Sequence, residues 1–332
     1  MDFSHGYTAS FYITLLDAVT WTEDDKMDII SGSIRKQNTD IRQSAALTAP
    51  GYDAETERWI RIYMDARQNE NVSHNAIFTG LATSPKYSIN GNTTTREVEC
   101  YSVLKPLADI KFPRGWYIAA GTNIYSACRQ LMRYTPAPYE VADGGPALST
   151  YIISDDGDSA LTMLDRVLNA IGWTLRITGS GLVRFAPPST QPVAEFGAKA
   201  ADIIEKTLSV ERDYFSAPNV LRATAGDAVA TARDENPASP LSIPTRGREV
   251  IMSEDDVALG LNEGIAEYAT RRLREEQQVA EKVSYTRRYV PEIDIGDIVE
   301  FNYNQIKGTY KVTSQTINLT YGGKTAEEAE RL

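Results

Sequence analysis

Pro291-Glu-Ile-Asp-Ile-Gly-Asp-Ile-Val-Glu-Phe301, followed by Gly308-Thr-Tyr-Lys-Val-Thr-Ser-Gln-Thr-Ile-Asn-Leu319, decides the fold class of this chain. A proline, a Gly-Asp turn and a strand lead through a short loop into a second strand. The pair reads as the closing hairpin of a small β-barrel, and it carries no catalytic residue. Its second strand, Tyr310 to Leu319, changes phase. Tyr310 and Val312 share one parity, Ile317 and Leu319 the other, so one residue of slip lies between them. A strand that bulges or bends at a barrel corner produces such a slip. The Ala/Glu-rich tail Lys324–Leu332 reads as a short helix or a frayed end.

Strand patterns also fill the N-terminal third. Phe11–Leu16 is a short apolar run, and Ile29, Ile30 and Ile34 flank Ser31-Gly32-Ser33. Trp59–Met64 alternates, with Ile60, Ile62 and Met64 on one face and Trp59, Arg61 and Tyr63 on the other. Ile77–Leu81 is a further strand. Ile89-Asn-Gly-Asn-Thr93 has the Asn-Gly pair of a tight hairpin, returning through Glu97–Val103. This spacing suggests a barrel or sandwich over roughly residues 1–110.

The pattern then changes. Thr122 is placed to cap a helix Asn123–Tyr134 that Pro136 and Pro138 stop. Ser159 or Asp158 caps a second helix, with Leu161, Leu164, Leu168 and Ile171 inward and Gly172 past its end. Trp173–Ile177 and Leu182–Phe185 then form a hairpin across Thr178-Gly-Ser-Gly181. Further on, Ser253 with Asp256 resembles a capping box, and Val257, Leu261, Ile265, Tyr268 and Leu273 recur at helical spacing. The reading is an α+β, mainly β chain: a barrel over 1–110, an α/β module over 111–205, and a second barrel over 206–332 with a helical insertion at about 245–282.

Composition narrows the chemistry. A net charge of −11 opposes stable nucleic-acid binding, which needs Lys and Arg on phosphates. Cys100 and Cys128 are too few for a disulfide framework, neither lies in a C-x-x-C pair, and both read as small buried hydrophobes. No window is apolar enough to span a bilayer, and Met1–Gly6 lacks the pattern of a secretory signal. His5 and His74, the two histidines, give almost no material for a triad or a multi-histidine metal site. Asp155-Asp-Gly-Asp-Ser159 lacks the Glu of a calcium loop, since Arg166 stands at its twelfth position. Gly179-Ser-Gly181 precedes a strand and cradles no phosphate. Glu254, Asp255 and Asp256 read as a solvated helix start. Trp116, Tyr117 and the chain's 18 tyrosines suit aromatic contact surfaces. No catalytic, cofactor-binding or metal-ligating residue is assigned.

The order of these parts resembles bacteriophage tail and baseplate hub proteins, the class of the T4-type hub, Mu-like phage hubs and the hub part of type VI secretion spikes. The likeness rests on Ile30-Ser-Gly-Ser-Ile-Arg-Lys36 with Ile41-Arg-Gln-Ser-Ala45, and on Ile77–Leu81 through Arg96–Leu107. It rests also on Pro113-Arg-Gly-Trp-Tyr-Ile-Ala-Ala-Gly-Thr122 before a helix, and on the Gly-Asp and Gly-x-Tyr strand pair quoted first. The resemblance implies two tube-type barrels per subunit and a homotrimer whose ring joins the tail tube to a central spike or tail tip and lines the DNA passage. Implied partners are a tube or distal tail protein, a spike or tip protein and a tape measure protein. The implied place is the virion's tail baseplate or tip, assembled in the host cytoplasm, and the protein is expected to be structural, without enzyme activity or cofactor. The alternative is a receptor- or carbohydrate-binding tail protein that uses exposed Trp and Tyr.

Overall fold

The computed structural model describes residues 6–38, 41–52, 56–90, 93–197, 208–260, 263–278, 281–303 and 306–332. Strands come first: β1 (Thr8–Leu16), β2 (Glu23–Asp28), β3 (Ser31–Gln37), β4 (Gln43–Thr48), β5 (Arg58–Gln68), β6 (Asn71–Ala82), β7 (Lys86–Asn90) and β8 (Thr93–Ser102). A mixed segment follows, with α1 (Lys105–Asp109), β9 (Tyr117–Ile118), α2 (Ile124–Met132), β10 (Tyr139–Val141), β11 (Ile152–Ile153), α3 (Ala160–Ile171), β12 (Thr174–Ile177) and β13 (Val183–Ala186). Next are β14 (Pro192–Phe196), β15 (Ser209–Arg212), β16 (Val220–Ala225), β17 (Ala228–Arg233), α4 (Ile243–Arg246), β18 (Ile251–Glu254) and α5 (Ile265–Gln278). The last are β19 (Glu281–Arg288), β20 (Ile298–Tyr303), β21 (Ile306–Asn318) and β22 (Lys324–Arg331).

The chain is mainly β, with helices added, as the sequence predicts. One 14-stranded sheet runs β15-β19-β22-β21-β3-β4-β8-β6-β5-β1-β2, with β20 on β21, β14 on β20 and β7 on β8. Among the described residues its strands form no closed ring. Alternation in β5 buries Ile60, Ile62 and Met64 against Ile13, Ile34 and Phe78. Its other face carries Trp59, which is covered by the core that α2 and α3 build from Leu131, Leu164 and Val167. A third core holds Phe196, Val299, Phe301, Tyr310 and Val312 under β14 and β19–β22. A fourth packs α5, through Ala269 and Leu273, on Leu221 and Ala223 of a β17-β16-β18 sheet.

β21 connects two of these cores. Its first part pairs with β20 and its last part with β3, from Ser314 opposite Gln37 to Asn318 opposite Ser33. Its register with β22 shifts between Val312 and Ser314. The predicted slip is therefore present, with a different purpose from a corner within one barrel. Tyr310 and Val312 enter the core of Phe301, while Ile317 and Leu319 enter the core of Ile34.

Several local expectations need correction. Asn123, one residue past Thr122, caps α2 by accepting Ser126 N at 2.8 Å. Ser159 caps α3, and Gly172 ends it at φ 68°, as read from the sequence. No capping box forms at Ser253, which lies in β18 opposite Arg222, and Asp256 takes φ 52°, so the helix begins only at Ile265. Leu261 and the hairpin residues Gly91 and Asn92 lie outside the described residues; the flanking strands pair with Asn90 opposite Thr93. Lys324–Leu332 is neither helical nor frayed over Lys324–Arg331. β19 and β21 claim both edges of β22, and Thr325, Glu327 and Ala329 alternate inward, which outweighs the helix propensity of Ala and Glu.

Candidate functional surface

Side chains that might have carried chemistry are committed to structure. His5 lies outside the described residues. Nδ1 of the exposed His74 lies 2.7 Å from Oδ1 of the buried Asp65. Asp155 and Asp158 pair with Arg166 at 3.3 and 2.7 Å at the start of α3. Glu254 accepts from the Tyr268 hydroxyl at 2.8 Å and pairs with Arg272 at 3.1 Å, and Asp255 accepts from the Thr224 hydroxyl at 3.2 Å. Burial pushes the Cys128 thiol up to about 12 and the Cys100 thiol upward as well, which keeps both inert. Among the described residues, no three His, Cys, Asp or Glu side chains group as metal ligands.

The glycine-rich turn is a dock between units. Gly179 O accepts from the Thr79 hydroxyl at 2.7 Å, and Ser180 O accepts from Arg61 Nη2 at 2.9 Å. A Cβ on Gly179 would lie 1.9 Å from Ala76 O, so the β12–β13 turn meets β6 backbone to backbone.

A second dock uses the Gly-Asp turn that precedes β20. Asp294 Oδ1 accepts from Lys36 Nζ of β3 at 3.0 Å, and buried Asp297 pairs with Arg176 of β12. The turn braces itself, since Asp297 Oδ2 accepts Asp294 N at 2.8 Å and Gly296 N reaches Val312 O at 2.7 Å. One short loop thus ties three parts of the chain.

Across these docks the sheet presents a single outward face. Residues directly opposite on antiparallel strands share a face. One row runs Ser209, Ser284, Glu328, Ser314, Gln37. A second runs Thr286, Ala326, Thr316, Arg35, Ser44, Tyr101. A third runs Asn318, Ser33, Ala46, Glu99. A shallow depression between β19, β21 and β22 is lined by Ser284, Tyr285, Thr286, Ser314, Thr316, Ala326, Glu327 and Glu328. Tyr101 and Arg35 are the large side chains in these rows; the rest are small, hydroxylated, amide or acidic. The opposite face of the same strands carries the buried Ile34, Lys36, Leu47, Tyr285, Arg287, Ile317 and Glu327. Exposed large apolar side chains are absent from these three rows; they include Tyr117, Tyr151 and Ile153 at the β9–β11 pair, Phe215, Val229 and Ile251 beyond β15, and Ile30 and Tyr321 just outside β3 and β21. Trp116, singled out with Tyr117, is instead stacked on Phe112 at 4.0 Å.

No family model matches the sequence, and no curated protein does. Solved structures do match. A tail protein from Neisseria meningitidis MC58 is 13% identical, with TM-score 0.71 over 98% of this chain and 97% of that one. This chain has the fold of phage tail proteins. The 43 kDa tail protein of prophage MuSo2 from Shewanella oneidensis is 11% identical, with TM-score 0.69 over 97% of this chain and 98% of its own. The E. coli c3393 protein, a type VI secretion component described as similar to the T4 tail proteins gp27 and gp5, shares 10% identity at TM-score 0.50, over 92% and 74%. The resemblance read from sequence thus holds for the fold of phage tail and hub-like proteins.

The polar face escaped sequence reasoning, although its signal was present. Ser33, Arg35 and Gln37, then Ser44, Ala46 and Thr48, alternate at period two with buried residues. Only the register of β21 on β3 aligns these segments with Ser314 and Thr316.

Proposed function

We propose that the protein is a structural, non-enzymatic tail hub: a homotrimeric ring that joins a tail tube to a central spike or tail tip and lines the DNA passage. In this reading residues 1–110 and 206–332 form two small barrels joined by the 111–205 module, and the ring belongs to the virion's baseplate or tip. The observation that carries it is the polar face continuous over seven strands of the sheet, from β15 to β8. A bore wall for DNA needs small polar side chains, which leave room, and a surplus of carboxylates, which repel phosphate. Ser33, Ser44, Ser284 and Thr316 supply the small polar side chains, Glu99 and Glu328 outnumber Arg35 among the charged groups of these rows, and the net charge of −11 agrees.

The fold shared with tail proteins and with a type VI component supports this reading, as do the apolar patches kept off the polar rows. The Tyr117, Tyr151 and Ile153 side chains suit protein partners such as tube, spike and tape measure proteins. The decisive experiment is mass by light scattering followed by imaging of the particle, alone and with its tail partners. A threefold ring with Ser284, Thr316 and Glu99 on the bore is expected. A stable monomer indifferent to tail proteins, or a ring with these rows outside, sinks the reading. The receptor-binding alternative draws on Tyr117 and Tyr151, exposed rings in edge contact at 5.7 Å, and binding of the isolated chain to host glycan would favour it.

A further inference from the structure

The turn between β15 and β16 holds an aromatic ring in water. Asp213 Oδ1 accepts Phe215 N at 3.1 Å and Ser216 N at 3.0 Å, and Asp213 Oδ2 takes the Ser216 hydroxyl. From the other side, Arg246 Nη2 and Arg248 Nη2 donate to Phe215 O at 2.7 and 2.6 Å. Arg246 Nη1 adds a bond to Ala217 O at 2.6 Å. Phe215 is nonetheless 79% exposed, with the Arg248 guanidinium 4.3 Å from its ring, and Tyr214 beside it is 44% exposed. Apart from the Arg248 contact, folding gains little from a ring left in solvent, since burial is what would stabilise it. A fixed backbone presenting Phe, Tyr and Arg is the make-up of an interface anchor, and its rigidity lowers the entropy lost on docking.

The place of the turn indicates what covers it. It continues β15, one end of the sheet, which among the described residues pairs only with β19. The opposite end is β2, which among the described residues pairs only with β1 and reads Glu23-Asp-Asp-Lys-Met-Asp28, exposed throughout except for Met27. The signs are complementary. Arg246 and Arg248 outnumber Asp213 at one end, and Glu23, Asp24, Asp25 and Asp28 outnumber Lys26 at the other, in a chain whose charge of −11 otherwise drives its copies apart. We infer that the Phe215 turn of one copy docks on the acidic β2 strand of a second copy, head to tail. Such a contact uses a different surface on each partner and closes into a ring when the rotation allows. It assigns the subunit contact of the proposed ring and rests on that reading.

The test uses the full chain. Phe215→Ser and Arg248→Glu are each expected to weaken self-association at least tenfold by light scattering, with circular dichroism unchanged. Adding Asp25→Arg to Arg248→Glu restores association. Copies carrying Phe215→Cys, mixed with copies carrying Asp25→Cys and an added thiol oxidant, should form disulfide-linked dimers, since Cys100 and Cys128 are buried. Wild-type association unaffected by folded Phe215→Ser and Arg248→Glu variants overturns this contact and leaves the ring standing. A wild-type chain that stays monomeric at every concentration, alone and mixed with its tail partners, with no cross-link, overturns both.

Discussion

Lys36 Nζ sits 3.0 Å from Asp294 Oδ1, and both are withdrawn from solvent where β3 meets the loop before β20. Burial works against the ammonium, but the neighbouring Asp294 carboxylate outweighs it and holds Lys36 above its ordinary value of 10.5. A group raised on folding contributes stability that is complete below its unfolded value and lost as pH rises through its folded one. Lys36→Met leaves Asp294 without its partner and should cost about 3 kcal/mol near neutral pH. Urea unfolding repeated under alkaline conditions should show this gap between variant and wild type narrowing. A variant as stable as wild type at neutral pH would discard the role given to this pair.

Arg287 and Glu327 form a fully buried pair, bonded at 2.6 and 2.5 Å, with Gln315 Nε2 a further 2.6 Å from the same carboxylate. Glu327→Ala strands a guanidinium and should cost about 3–5 kcal/mol, whereas Arg287→Met with Glu327→Leu should cost far less. Denaturant midpoints of the single and double variants decide it. Equal losses in both would mean that the pair stabilises the fold outright.

Gly179→Ala places a methyl on Ala76 O, and neither backbone can yield without parting the β12–β13 turn from β6. A loss of about 3 kcal/mol is expected. Hydrogen exchange at residues 174–186 should rise together with exchange in β6. Exchange unchanged in both would show that the two backbones are not locked together.

Burial opposes the Glu281 carboxylate, yet the Tyr310 hydroxyl and the guanidiniums of Arg212 and Arg331 more than offset it and hold the group below 4.5. The sign here is the reverse of Lys36. The contribution is present above the ordinary carboxylate value and lost as pH falls through the folded one. Glu281→Gln should therefore lower the melting temperature at neutral pH and make it less sensitive to acid. An identical acid profile in variant and wild type would remove Glu281 from the acid response.

Glu99→Lys with Glu328→Lys places two cations on the polar face, in rows separated from the apolar patches. The variant should fold as wild type and acquire salt-sensitive binding to duplex DNA, measurable by fluorescence anisotropy, while the wild type shows none. Tail assembly should survive and DNA delivery fall. Unchanged delivery in the assembled variant would detach this face from the DNA path.

Legibility in the sequence followed the range of the interaction. Alternation in Trp59–Met64 and the Ser159 and Gly172 caps are local, and they stand as read. The slip between Val312 and Ile317 was visible because it too is local, but its purpose lay in which core each half entered. Ser253 looked like a cap because Asp256 follows at capping-box spacing, yet pairing with Arg222 draws it into a strand. Glu327 lies in the tail read as a short helix or a frayed end, and its partner Arg287 stands forty positions away. The candidate surface was illegible for the same reason: its rows exist only where β21 lies on β3.

The displaced register in β21 also fixes the order in which this protein can mature. β3 sits early in the chain, and one of its neighbours is a strand made hundreds of residues later; the Tyr7 hydroxyl likewise waits for Tyr289 O, 282 positions away. A ribosome-bound chain therefore carries an open strand edge at β3 until β21 emerges. Such high-separation pairing slows folding and exposes the nascent chain to wrong partners. The protein reaches its complete sheet only as a late event of synthesis, and subunits cut short before β21 would be poor recruits to any ring.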